Sequence, residues 1–98
     1  MNKLLSNSEK RENLNAGEII CITSRPRFWH SGDDKENPLK DPINLVYPIY
    51  GKITKIILTG GNSQLHLLYD NMIYGFALYD TDIIKVNDSE ISIIWKKN

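Results

Sequence analysis

Two alternating runs that meet at Asp70-Asn71 constrain this chain more than any other feature. Gln64 to Tyr69 (QLHLLY) and Met72 to Tyr79 (MIYGFALY) place apolar side chains at alternate positions, as a half-buried strand requires. An Asp-Asn pair between such runs tolerates the left-handed backbone of a two-residue hairpin turn. The flanking segments extend the pattern. Glu18 to Thr23 reads as a first strand, with IICI continuous because it is covered on both faces or carries a bulge. Tyr50 to Thr59 reads as a second strand, followed by a Gly60-Gly61-Asn62-Ser63 turn. After Tyr79 the chain is expected to make a one-turn helix at Thr81-Asp82-Ile83, capped by Asp80, and then a closing strand Ile84 to Val86. A turn at Asn87-Asp88-Ser89 leads to a last strand, Ile91 to Trp95. The fold class that follows is all-β: a small antiparallel barrel of five to six short strands.

At 98 residues the chain is one domain by length. Residues 1–15 form a polar N-terminal segment, with Leu4 and Leu14 too sparse for a strong amphipathic stripe, so that a short helix from Ser8 to Leu14 and a frayed tail both fit. Residues 16–98 form the barrel domain. Lys plus Arg equals Asp plus Glu at 12 each, and a neutral chain lacks the basic excess usual in binders of duplex nucleic acid. The single cysteine, Cys21, sits in an apolar run and reads as a buried, inert thiol in a reducing compartment. No apolar stretch approaches the ~20 residues of a membrane span, and the first residues lack the apolar core of a signal peptide. A cytoplasmic location without membrane contact is expected. The abundance of Ile, Asn and Lys points to an AT-rich genome, such as that of a bacterium or a phage.

Ser24 to Asn44 is the longest segment without regular pattern. It carries Pro26, Pro38 and Pro42, the charged cluster Asp33-Asp34-Lys35-Glu36 and the aromatic pair Phe28-Trp29. A loop of about 20 residues in so small a domain is more often functional than incidental. Leu45 to Tyr47 adds a short edge segment at most, since Pro48 cannot donate to a ladder.

The order of these elements resembles the Src-homology-3 (SH3)-like barrel, in which a first strand leads into a long loop and two meander strands precede a helical turn and a closing strand. Gly51-Lys52-Ile53-Thr54-Lys55-Ile56 is similar to the G-x-[IV]-x-x-[IV] phrase of KOW and Tudor-like members. Gly17 to Ile22 and Leu78 to Ile83 have matching shapes, so the resemblance covers roughly residues 17–86. The chain also resembles small barrel proteins of bacterial and phage genomes. It departs from the signalling members: their ALYD phrase stands here at Ala77-Leu78-Tyr79-Asp80, next to the closing strand instead of at the start, and polyproline binding does not carry over. The resemblance implies a fold and leaves function to the site.

Catalytic and metal constellations are weak. Two distant histidines, His30 and His66, and one cysteine give no tetrahedral zinc spacing, and Asp33, Asp34, Glu36 and Asp41 follow no calcium-loop pattern. The serines lack a G-x-S-x-G context, and Gly60-Gly61-Asn62-Ser63 lacks the Lys-Ser/Thr of a phosphate loop. The expectation is a protein that is not an enzyme and needs no cofactor.

What remains is an aromatic and basic set. Arg25, Arg27, Trp29 and His30 open the long loop beside Phe28, and Tyr47 and Tyr50 enter the second strand where they could lie across from Trp29. Flat apolar faces beside guanidinium forks suit a protein hot spot, or the bases and phosphates of single-stranded nucleic acid or a nucleotide. Against this, Phe28 and Trp29 could plug an open barrel end, while Tyr69, Tyr74 and Phe76 are packing residues. The expected partner is a protein, with nucleic acid or nucleotide as the alternative. Ile91, Ile93 and Trp95, with runs that are apolar on both sides at Ile56-Ile57-Leu58 and Ile83-Ile84, also suggest a homodimer.

Overall fold

Ser6 is a helix cap. A computed structural model describes residues 3–29 and 39–86. In it the Ser6 hydroxyl accepts from the Glu9 amide at 3.2 Å, while the Glu9 carboxylate accepts from the Ser6 amide at 2.8 Å. This reciprocal box satisfies orphan donors at the start of helix α1, Asn7–Asn13. The helix is thus formed, one residue earlier than the pattern suggested. Its buried side is made by Lys10 and Leu14, four residues apart and so on one face.

Among the described residues five strands follow: β1 (Ile19–Ile22), β2 (Ile49–Ile57), β3 (Gln64–Tyr69), β4 (Met72–Ala77) and β5 (Ile83–Lys85). They form a single antiparallel sheet in the order β4-β3-β2-β1-β5. β1 therefore lies between its sequence neighbour β2, with Ile20 opposite Gly51, and the distant β5, with Ile20 opposite Lys85. The β3–β4 hairpin turns at Asp70 and Asn71, whose φ angles of 53° and 64° are those of the expected tight turn. A register shift between Ile53 and Lys55 bends β2 against β3.

One face of the sheet carries the core. Ile20 and Ile22 from β1, Ile49 and Ile53 from β2, Leu65 and Leu67 from β3, Phe76 from β4 and Ile83 from β5 are buried together with Leu78 and Leu14. Cys21, between Ile20 and Ile22, is buried too, which explains the continuous apolar run of β1. Gly51 is obligatory in the register. A Cβ there would lie 2.7 Å from the Leu68 carbonyl oxygen and 2.7 Å from Leu67 Cγ, so the strands could not keep their spacing.

The expected all-β class is met in its coarser form: among the described residues the strands make one antiparallel sheet that is not closed, with β4 and β5 as its edges. One expectation is corrected. The helical turn before β5 is Leu78–Asp80, three residues earlier than expected, and β5 starts at Ile83. Asp80 lies within that turn and does not cap it. Its N-cap is Ala77, which has no side-chain cap, and the buried Thr81 hydroxyl instead donates to the Ala77 carbonyl at 2.7 Å. The ALYD phrase is thus spent on the turn that leads into β5.

Each sheet edge is met by irregular backbone. On β5, the Ile83 carbonyl accepts from the Leu5 amide at 2.9 Å. On β4, the Ile73 carbonyl accepts from the Lys40 amide at 2.8 Å, and the Gly75 amide donates to the Lys40 carbonyl at 3.4 Å. An open edge is a template for unwanted strand pairing, and covering it is a common protection. Among the described residues no helix is long and apolar enough to cross a membrane. The expected strand Ile91 to Trp95 lies outside the described residues, as does the cluster Asp33 to Glu36.

Candidate functional site

The long loop approaches the sheet as two arms, and both reach the outer edge of β4. The first arm leaves β1 at Thr23, whose amide donates to the Asp82 carbonyl, and Ser24 Oγ donates to Asp82 Oδ2 at 3.4 Å. It then alternates in depth: Arg25 exposed, Pro26 buried, Arg27 and Phe28 exposed, Trp29 half-buried. Trp29 forms an antiparallel bridge to Phe76. The second arm begins with Lys40, bridged in parallel to Tyr74. Tyr74 and Phe76 are two residues apart on β4, so the arms meet the strand about 7 Å from each other.

The second arm is braced from within. The Asp41 side chain caps a helical turn at Pro42–Asn44 by accepting from the Ile43 amide at 2.9 Å, and Pro42 is buried. The Tyr47 hydroxyl reaches back to the Pro42 carbonyl at 2.8 Å. Burial pushes the Tyr47 phenol up to about 12, helped by the Asp41 carboxylate and by Tyr74 and opposed by the positive charge of Arg25. The charge of Arg25 on the first arm is thus felt by Tyr47 on the second. Behind them Tyr74 is buried and meets Tyr69 edge-on, with ring centroids 6.2 Å apart.

Of the residues that the sequence nominates, Arg25, Arg27 and Trp29 stand on the first arm and Tyr47 on the second. Tyr50 is half-buried on β2 opposite Cys21, and β3 and β4 separate that strand from the Trp29 bridge in the sheet order. His30 lies outside the described residues. Phe28 does not plug the domain: it is 61% exposed, whereas Trp29 and Pro26 turn inward. Tyr74 and Phe76 are core residues, and Tyr69 packs against that core.

Val46 was not foreseen. At 85% it is the most exposed large apolar residue among the described residues, between the half-buried Leu45 and Tyr47. The alternation of Leu45, Val46 and Tyr47 is the signal that could have found it, since an extended segment anchored by its odd members must turn the even one outward. Met72, 46% exposed, adds a further apolar side chain on β4. The described residues of the arms carry three exposed cations, Arg25, Arg27 and Lys40, and one carboxylate, Asp41. Neither arginine is ion-paired to a described carboxylate; the ion pair among the described residues joins Lys85 to Glu18 at 3.0 Å.

Among the described residues no group of three or more His, Cys, Asp and Glu side chains is gathered to hold a metal ion. No family model, curated protein or solved structure matches the chain.

Proposed function

We propose that this chain is a non-enzymatic binding module that recognises another protein through the two arms of its long loop. We further read its open sheet as the wall of an SH3-like barrel, supported by a β1 strand that pairs with both β2 and β5 and by a helical turn immediately before β5. The observation that carries the functional reading is the exposure of Phe28, next to the half-buried Trp29, and of Val46, between the half-buried Leu45 and Tyr47. Ordered backbone that holds apolar side chains in water gains nothing for the isolated fold. It does lower the entropy cost of forming an interface.

A second reading, single-stranded nucleic acid or a nucleotide, is favoured by Arg25 and Arg27 beside the exposed Phe28 ring, a combination suited to phosphate and base stacking. Panning a display library of random linear peptides against the protein, in parallel with titration of single-stranded DNA at rising salt, separates the two. The protein reading predicts captured peptides whose affinity falls about 30-fold in the Arg25→Ala/Arg27→Ala variant, the equivalent of about 2 kcal/mol, with an unchanged melting temperature. Binding of DNA with a loss of about one logarithmic unit of affinity per unit of log salt for each phosphate contacted, and no captured peptide, would establish the second reading instead.

A further inference from the structure

The sheet has a second face, and the strand register shows which side chains stand on it. Directly opposed residues of antiparallel strands project to the same side, and successive residues along a strand to opposite sides. Ile20 and Ile22 lie in the core, so Ile19 and Cys21 point the other way. Cys21 is opposed by Ile84 on β5 and by Tyr50 on β2. Ile19 is opposed by Lys52, Lys52 by Leu68 and Leu68 by Ile73, a row that crosses four strands. Of these seven residues Lys52 is exposed, Cys21 is buried and the other five are half-buried. A sheet with one face in water ordinarily carries polar residues on that side. Here that side is apolar at every one of these positions except Lys52, the pattern of a face with a cover.

The elements around this face are committed elsewhere. Leu5 and Leu14 of the N-terminal segment pack on the core side. The Leu5 amide meets the edge of β5, and Lys40 meets the edge of β4. Residues 30–38 contain no large apolar side chain. Residues 87–98 do: Ile91, Ile93 and Trp95 alternate behind the polar run Asn87-Asp88-Ser89. They follow directly on β5, whose Ile84 stands on the second face beside Cys21. Between Lys85 and Ile91 the chain can span about 20 Å, roughly the width of five strands spaced about 4.8 Å apart. A segment tethered so closely also has an effective concentration far above that of a second copy in dilute solution.

We propose that residues 87–98 of the chain itself dock on this second face, with Ile91, Ile93 and Trp95 laid over the rows that contain Cys21 and Leu68. The inference goes beyond the binding reading and is independent of the arms. The continuous apolar run of β1 then has a cause on each side: the core beneath Ile20 and Ile22, and the C-terminal residues above Cys21.

Cys21, the one cysteine of the chain, reports on the cover. Its alkylation by iodoacetamide in the native full chain should be slow. It should speed up at least about tenfold in Ile91→Asp/Ile93→Asp, because carboxylates cannot be seated unpaired on an apolar face. Ser92→Asp, of the opposite parity, should react at the parental rate. Equal rates in parent and double variant, both with an intact sheet spectrum, would overturn the proposal. So would protection that is lost on dilution as a dimer dissociates in sedimentation, which would make a second copy the cover. Should the double variant lose its sheet spectrum, Trp95 decides the matter, since in Trp29→Phe it is the one indole left. Its emission should be blue-shifted and shielded from iodide at every protein concentration; quenching as efficient as that of free tryptophan would overturn the proposal.

Discussion

Lys10 Nζ lies 2.6 Å from the Thr81 carbonyl oxygen, a contact that spans 71 residues of sequence. The same amine donates to the Leu78 carbonyl at 3.1 Å, so a lysine on α1 supplies donors to the turn before β5. Lys10 is 4% exposed, and its four-carbon stem is buried with it. Replacing Lys10 by Met keeps most of the stem and removes the donors. The expected loss is about 1–3 kcal/mol, the cost of leaving buried carbonyls unpaired, read as a lower urea midpoint with an unchanged slope. The exposed neighbour Arg11, changed to Met, should stay within about 0.5 kcal/mol of the parent. Equal midpoints for the two variants would show that the amine contributes nothing to docking of the helix.

Alkaline pH should act on the fold through Tyr47. Its phenol ordinarily titrates at 10.0 and is raised to about 12 in the fold, above all by burial. A raised value means that the stabilisation is complete below pH 10 and is lost as pH climbs towards 12, because the unfolded chain releases its proton first. Lys10 works in the opposite sense. Burial lowers it below 10.5, although Asp82, Asp80 and Tyr79 resist, and its contribution to stability rises as pH approaches 10.5. The diagnostic quantity is therefore the difference between the parent and Tyr47→Phe. The parent should lose stability relative to the variant between pH 10 and 12; parallel curves would contradict the buried placement of the phenol.

Gly51→Ala is a test of the register. The added methyl group would sit 2.7 Å from the Leu68 carbonyl oxygen, which is backbone and cannot rotate away. A cost of about 1–3 kcal/mol is expected, as for overpacked cores. Gly61, where a Cβ would meet nothing within 4 Å, provides the control, and its alanine variant should melt close to the parent. A Gly51→Ala variant as stable as that control would rule out the β2–β3 spacing described above.

The hairpin tip can be tuned in both directions. Asn71 has a φ of 64°, a conformation that glycine adopts freely and β-branched residues resist. Asn71→Gly should equal or slightly exceed the parent in melting temperature, whereas Asn71→Val should cost about 1–2 kcal/mol. If both were neutral by thermal denaturation, the turn would have a different backbone.

How much of this could be read from the sequence depended on how local its cause was. The β3–β4 hairpin was legible because Asp70-Asn71 and the alternation around it act within a few residues. The boundaries of β3 were anticipated to the residue. The helical turn was placed too late because Asp80 looks like a cap when read locally, while the turn is held by Thr81 and by Lys10 from the far end of the chain. Nothing near Lys10 in sequence announces its acceptors, which lie 68 and 71 residues away. At the candidate site, Arg25, Arg27 and Trp29 stood out by type, but which aromatic would turn outward depended on bridges to β4. Those bridges buried part of Trp29 and left Phe28 in water.

The position of β1 between β2 and β5 sets synthesis against assembly. A chain made from its N-terminus presents α1 and β1 first, and β2 can join β1 as soon as Ile57 has emerged. The other side of β1 waits for Ile83 to Lys85, and Lys10 has no acceptor until Leu78 and Thr81 exist. Until then the buried side of α1 that includes Lys10 has no seat. Its docking closes a loop that encloses nearly all of the sheet, a step slowed by the chain entropy of distant contacts. The helix made before the sheet is among the last parts to settle on it.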